Sequence, residues 1–430
     1  MLPRESSSWS WRCAGQCCSV FAMAVIVLLL FLAPPLAVSA SSSTKMARIQ
    51  MHLDRMNKPA VRSIQSEDGD IIDCVERQKQ HGLEHPLLKA HAIQQTQPLR
   101  PYSSFHFQFQ QQASSRGTTA DTALRGTVAI RRTTADDVLR ASSVARFGRK
   151  IIRTVDADAA RAANAPDVVT GNGHEHAIAY TAAAGTAVYG AKATINVWDP
   201  AIQESNGFSL SQLWILSGSF NGSDLNSIEA GWQVSPELYG DSRPRLFTYW
   251  TSDAYEATGC YNALCPGFVQ TSSRIAIGAS ISPVSSPEGS QYDMTLLVWK
   301  DPKLGNWWLS YGDQLVGYWP AELFTHLSDH ATMVEWGGEV VGHQARRRAH
   351  RHADGLRPLR RRGLRPGQLL PQPRDGGRRQ QPGAGARGCT PDAGRERRML
   401  RHSQGLRSRR RWMGNALFYY GGPGHNPACP

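Results

Sequence analysis

Residues 334–341 read VEWGGEVV, and residues 227–234 read SIEAGWQV. Both are short β-branched and aromatic runs with period-two alternation, the pattern of a strand that buries one face. In the first, Val334, Trp336, Gly338 and Val340 share a face, and Glu335, Gly337 and Glu339 lie opposite. In the second, Ile228, Ala230, Trp232 and Val234 lie opposite Glu229, Gly231 and Gln233. Each strand thus offers an apolar face to a core. Its reverse carries a carboxylate beside glycine, where the missing side chain leaves room for a ligand. On pattern alone, a solvated glutamate on an outer strand face is the commoner outcome.

Working outward, the same texture recurs in ATINVWDP (193–200), QLWILSGSFNGSD (212–224), RLFTYWTSD (245–253), YDMTLLVWKDP (292–302) and NWWLSYGDQLVGYWP (306–320). Gly, Pro, Asn and Asp punctuate these runs with no helical periodicity between them, which predicts an all-β, antiparallel β-sandwich. Twelve tryptophans, mostly in this half, supply its apolar payload. Upstream, residues 47–92 are charged and partly helical in pattern. Residues 93–165 are rich in Gln, Ser, Ala, Thr and Arg without sustained periodicity, and read as a mobile linker.

The chain opens with Arg4 and Arg12, an apolar run over 20–32 and APPLAVSA (33–40), which predicts a secretory signal peptide cleaved after Ala40. The run is short for a bilayer crossing, so the mature protein is expected outside the cytoplasm, free of the membrane. Five cysteines then remain: Cys74, Cys260, Cys265, Cys389 and Cys429. Cys260 and Cys265 are close enough to staple a tight loop in an oxidising compartment. Asn221 in NGS suits glycosylation. His326 and His330 lack a third ligand at recognised spacing, so a structural or surface role is expected. The serines of FSLSQ (208–212) and GSFNGS (218–223) sit in no nucleophile-elbow pattern.

The segments NKPAVRSIQSEDGDIIDCVERQKQHGLEHPLLKAH (57–91), IEAGWQVSPELYGDSRPRLFTYWTSDAYEATGCYNALCPGFVQ (228–270), WWLSYGDQLVGYWPAELF (307–324), VEWGGEVV and the closing FYYGGPGHNPACP (418–430) resemble the plant neprosin family, the first its activation peptide and the rest its catalytic domain. The resemblance implies a signal peptide over 1–40, an activation peptide over 41–100, a linker over 101–165 and a catalytic sandwich over 166–430. It implies a secreted glutamic endopeptidase, extracellular, in the cell wall or vacuolar. Such an enzyme is made as a proenzyme, needs no cofactor or metal, and cleaves on the C-terminal side of proline in peptide or protein substrates. Its own propeptide is then its partner, with no role for nucleic acid. The catalytic pair falls on Glu229 in EAGW and Glu339 in WGGE, with Glu335 as the competitor for the second place. Two glutamates suit amide hydrolysis, which needs a base to activate water and an acid to protonate the departing nitrogen; brought close, they share one proton. Trp232, Tyr249 and Trp336 are available to a proline pocket, though core packing is the commoner duty of such residues. The rival reading is a non-catalytic secreted sandwich that binds cell-wall polymer through exposed aromatics.

After VEWGGEVV the character breaks. Residues 343–411 hold 21 Arg, no Lys, four Asp or Glu, and no Phe, Tyr, Trp, Ile or Val. Subtracting this local +17 from the net +13 leaves −4 for everything else, so the basic charge belongs to one segment and not to a nucleic-acid-binding domain. Read one base late, suitable codons for 348–373 and 399–408 yield strings resembling those that neprosin-family chains carry there. Two compensating frameshifts are therefore expected, near 341–344 and near 410–412, with the intervening block disordered as written. The shifted reading also supplies a cysteine at position 399 to pair with Cys429. An in-frame cDNA encoding the arginine block rules the frameshifts out as an error.

Overall fold

The computed structural model describes residues 36–101, 114–115, 125–150, 174–182, 187–202, 204–219 and 223–341, and the backbone of 363–369, 401–404 and 418–421. The chain divides into two compact units, residues 1–51 and 52–430. The described part of the first belongs to helix α1 (Leu36–Met56). The expected signal core lies outside the described residues, as do Asn221, Cys389 and Cys429. The expected cleavage point after Ala40 falls within α1. No helix among the described residues is long and apolar enough to cross a membrane.

The second unit begins with a three-stranded antiparallel sheet of β1 (Ala60–Gln65), β2 (Ile71–Glu76) and β3 (Thr127–Arg131), in the order β1-β2-β3. β3 corrects the linker reading over 125–150. The short TVAIR run pairs from Ile72↔Arg131 to Glu76↔Thr127, and Val128 and Ala129 are fully buried. A five-residue strand with consecutive residues buried on both faces shows no alternation to register as periodicity. Helix α2 (Ala135–Arg140) follows, closed by a capping box in which the Asp137 N–H donates to Thr134 Oγ1 and the Thr134 N–H donates to Asp137 Oδ2.

This sheet docks through buried polar contacts. Arg245 donates to Asp70 Oδ2 at 2.6 Å, Gln80 Nε2 donates to the Gln270 carbonyl at 3.0 Å, and the Gln270 N–H returns to Gln80 Oε1 at 2.8 Å. Gln94 is ringed by donors and an acceptor, with Asn306 and Trp308 donating to its Oε1 and its Nε2 reaching Asp301.

The sandwich strands follow in chain order as β4 (His174–Ala182), β5 (Gly190–Asn196), β6 (Phe208–Ser217), β7 (Asn226–Val234), β8 (Arg245–Thr251), β9 (Val269–Gln270), β10 (Asp293–Lys300), β11 (Trp307–Tyr311), β12 (Gln314–Trp319), β13 (Met333–Val341), β14 (Gly363–Leu369), β15 (Arg401–Gln404) and β16 (Phe418–Gly421). They build two antiparallel sheets, a five-stranded one in the order β4-β13-β6-β7-β8 and an eight-stranded one in the order β9-β12-β11-β10-β5-β14-β16-β15. The all-β sandwich is therefore observed. Its core lies between the sheets: Ile228, Ala230, Trp232 and Val234 of β7 and Val334, Trp336 and Val340 of β13 join Ala191, Ala193 and Ile195 of β5, Leu296 and Val298 of β10, and Trp307 and Trp319. The even-numbered residues of β7 and β13 thus face inward, as their alternation predicts.

Disorder across the whole of 343–411 does not hold. Gly363–Leu369 runs along β5 and Arg401–Gln404 along β16. The edge of β5 offers unpaired backbone groups, and backbone pairing asks little of side chains. The pairing is irregular, with a register shift between Pro366 and Leu369, in keeping with a proline that cannot donate to the ladder. The rest of the arginine block lies outside the described residues.

Candidate active site

The reverse face of the five-stranded sheet carries the odd-numbered residues of β7 and β13. Its register sets them in three rows. Glu229, Trp214 and Glu335 lie side by side, then Gly231, Gln212 and Gly337, then Gln233, Leu210 and Glu339. Glu229 and Glu339 thus stand diagonally across a middle row that has glycine on both flanks. These glycines permit close strand approach: a Cβ on Gly231 would sit 2.0 Å from the Ser211 carbonyl oxygen, and one on Gly337 2.1 Å from that of Ala177.

The face is not solvated. Glu229 is 0 % exposed, Glu339 2 % and Glu335 6 %. Their cover comes from two sides. One is the loop after β8, stapled by the observed Cys260–Cys265 disulfide, which brings Tyr255 and Tyr261 over the sheet beside Tyr249. The other is the segment just before residue 151. There the Gly148 carbonyl accepts from the Tyr261 N–H at 2.7 Å, Arg149 donates to the Ala257 carbonyl at 2.6 Å, and the Lys150 N–H donates to Tyr249 OH at 3.3 Å.

Lys150 then points between the glutamates. Its Nζ lies 2.7 Å from Glu229 Oε2 and 3.9 Å from Glu339 Oε2, so those oxygens are no farther apart than 2.7 plus 3.9 Å. The ammonium also stands 5.3 Å from the ring centres of both Tyr249 and Tyr255. Burial alone would push this lysine down. Glu229 and Glu339, with Tyr261 and Tyr255, outweigh it and hold the ammonium well above its ordinary value.

The two carboxylates differ in their remaining partners. Glu229 Oε1 accepts from Tyr255 OH at 2.8 Å and Ser227 Oγ at 3.1 Å, both neutral hydroxyls. Glu339 Oε1 lies 2.5 Å from His174 Nδ1 and 3.7 Å from His176 Nε2, on the adjacent strand β4. Burial pushes the Glu339 carboxyl up, but Lys150, His176 and His174 together hold it well below the usual carboxylate range. Burial also raises the tyrosines, Tyr249 to about 12 and Tyr255 well above its ordinary value, the latter helped by Glu229, so both remain neutral donors.

Of the residues singled out in the sequence, Glu229 and Glu339 meet around one ammonium. Glu335 shares their face in the row of Trp214. Trp232 and Trp336 do not line this site, since both are buried between the sheets and the Trp232 indole N–H donates to the Asn196 carbonyl. Tyr249 does line it, opposite Glu229 on β8. His326 and His330 lie away from it, paired with Asp224 and Asp329. Lys150, Tyr255, Tyr261 and His174 were missed. Lys150 sits in low-complexity sequence, and the tyrosines lie in a loop whose folding back no periodicity reveals.

Residues 63–180 match the family described as Neprosin activation peptide, and residues 205–353 match the family described as Neprosin, with the second match ending inside the arginine block. The chain is similar to a Scytalido-glutamic peptidase solved with a peptide-based transition-state analogue (14 % identity, TM-score 0.24), covering 39 % of this chain and 64 % of that one. It is also similar to a homodimeric agglutinin from chicken liver (7 % identity, 38 % of this chain and 94 % of that one, TM-score 0.21) and to an apo Crh5 transglycosylase (14 % identity, 39 % and 63 %, TM-score 0.21). The chain thus spans less than two thirds of the length of the first and third.

Proposed function

We propose that this chain, which belongs to the neprosin family and carries that family's activation peptide, is the latent form of a secreted glutamic endopeptidase cleaving after proline. The observation that carries the proposal is the single ammonium of Lys150 held between Glu229 and Glu339. A cation there neutralises both carboxylates and occupies the place a water and a scissile amide would need. Once the activation segment leaves, the two carboxylates lose that cation, face each other and share a proton. A cut between Lys150 and β4 leaves His174 and His176 beside Glu339, because β4 is hydrogen-bonded along its length to β13, so Glu339 is the partner that stays ionised.

The reaction then runs as follows. Glu339 takes a proton from water as the water oxygen bonds to the proline carbonyl carbon and the carbonyl π pair moves onto its oxygen. The tetrahedral adduct collapses, the C–N bond breaks, and Glu229 delivers its proton to the departing nitrogen. One protonated and one ionised carboxyl are needed together, which sets the working range at acid pH. The tyrosines at 249, 255 and 261 supply the aromatic wall for a compact proline ring. The Cys260–Cys265 bridge supports an oxidising, secretory compartment. The polymer-binding alternative gains no support: among the described residues the large exposed apolar side chains are Met, Val and Leu, with no aromatic platform.

The test is cleavage of a proline-containing peptide at acid pH by the full chain after release of its activation segment. Glu229→Gln and Glu339→Gln should each lower kcat about 10²–10⁴-fold. Full activity in both variants would end the proposal.

A further inference from the structure

At the centre of the glutamate face lies Gln212, in the middle row between Gly231 and Gly337. It is 0 % exposed, and neither its Nε2 nor its Oε1 has a hydrogen-bond partner among the described residues. It is the one described side chain in which a donor and an acceptor are both left so. Other buried glutamines of this protein use their amides: Gln270 Nε2 reaches the carbonyls of Ala129, Ser272 and Ile275, and Gln80 is paired both ways with Gln270. An orphaned buried amide group costs about 1–3 kcal/mol, and a leucine or methionine would fill the same place without that cost. Retaining an amide here makes sense if its partner comes with the substrate.

We propose that Gln212 is a further catalytic residue whose Nε2–H donates to the oxyanion that forms on the scissile carbonyl oxygen. The inference rests on the peptidase reading above. The diagonal from Glu229 to Glu339 crosses the row of Gln212, so an amide seated between acid and base lies over this side chain. The flanking glycines leave the amide the only side chain of its row on these three strands. As water adds to the carbonyl carbon and the π pair moves onto oxygen, charge grows on that oxygen. A donor already fixed in a dry site stabilises this charge with little reorganisation. The donor is unused in the latent chain and engaged only in the reaction, the arrangement that raises kcat and leaves ground-state binding unchanged.

The experiment compares Gln212→Met, which keeps the volume and removes the donor, with Gln212→Glu, which keeps the shape and replaces the donor by an acceptor. Thermal unfolding of the latent full-length chain and peptide hydrolysis after release of the activation segment are measured together. Both variants should lower kcat about 10²–10³-fold with KM changed by less than about threefold, and Gln212→Met should leave the unfolding midpoint unchanged or higher. Gln270→Met, which removes a satisfied amide, should lower the midpoint. A Gln212→Met enzyme within twofold of wild-type kcat overturns the inference and leaves the peptidase reading standing. A Gln212→Met chain with a lowered midpoint also overturns it, by showing that the amide is structural. A wild-type chain inert toward every proline peptide overturns both.

Discussion

The two faces of strands β7 and β13 are buried to the same degree and are built on opposite principles. Toward the eight-stranded sheet stand Ile228, Trp232, Val234, Val334, Trp336 and Val340, and the tryptophan with a polar atom in use gives it to the Asn196 backbone. Toward the activation segment stand three glutamates and an orphaned glutamine. Apolar burial is permanent because nothing better is gained by undoing it. Burial of charge holds only while a counter-charge is present, and here the counter-charge on Glu229 comes from Lys150, on a segment outside the sheet. A glutamate face that is solvated on ordinary odds is therefore dry in this form through an arrangement that can be reversed.

The comparison is broken most severely from the inner side. Trp232→Ala should cost about 3–5 kcal/mol, read as a lower unfolding midpoint at every pH. An outward change such as Glu339→Gln should instead remove activity and largely spare the mature fold. A Trp232→Ala chain that unfolds like wild type would mean that this face is not the core.

Lys150→Met comes next. Removing one partner of a buried ion cluster costs about 3 kcal/mol, but only while the carboxylates are ionised. Glu339 is depressed in the folded latent chain, so its contribution is present above the ordinary glutamate value of about 4.3 and is lost as pH falls through the lower folded value. The deficit of Lys150→Met should therefore be large at pH 7 and shrink steadily below about pH 4. By the same sign, acidification loosens the activation segment in the wild type. Equal unfolding midpoints for wild type and variant at pH 7 would show that Lys150 holds nothing in place.

Much of this was legible and some was not, for identifiable reasons. Strands β7 and β13 could be read from alternation, including which residues share a face, because a period of two leaves no other choice once one side is apolar. The Cys260–Cys265 staple followed from spacing. The diagonal placement of Glu229 and Glu339 could not be read, since it depends on β6 lying between their strands, and the order β13-β6-β7 is not written in any local pattern. Lys150 was hidden because its neighbours look like linker. Its position is fixed by the Gly148 carbonyl and the Tyr249 hydroxyl, contacts that span about a hundred residues. Gln212 lies inside FSLSQ, and a single glutamine at a strand position carries no local signal that its amide is unpaired.

The finest distinction on the glutamate face is between Glu339 and Glu335, two residues apart on one strand with side chains on one side. Sequence could not separate them, since both satisfy the alternation and both flank Gly337 on one face. The structure separates them by row. Glu335 is level with Trp214, whose indole stands between it and Glu229 in the register, whereas Glu339 occupies the far corner with His174 and His176 on one oxygen and Lys150 near the other. A general base must reach water beside the acid, and a bulky indole in the same row obstructs that approach for Glu335. Glu335→Gln should therefore lower kcat by less than about tenfold, against about 10²–10⁴-fold for Glu339→Gln, in side-by-side assays at the acid optimum. The reverse order would move the catalytic pair into the first row, set the two glutamates on either side of Trp214, and leave the histidine pair without a part in the reaction.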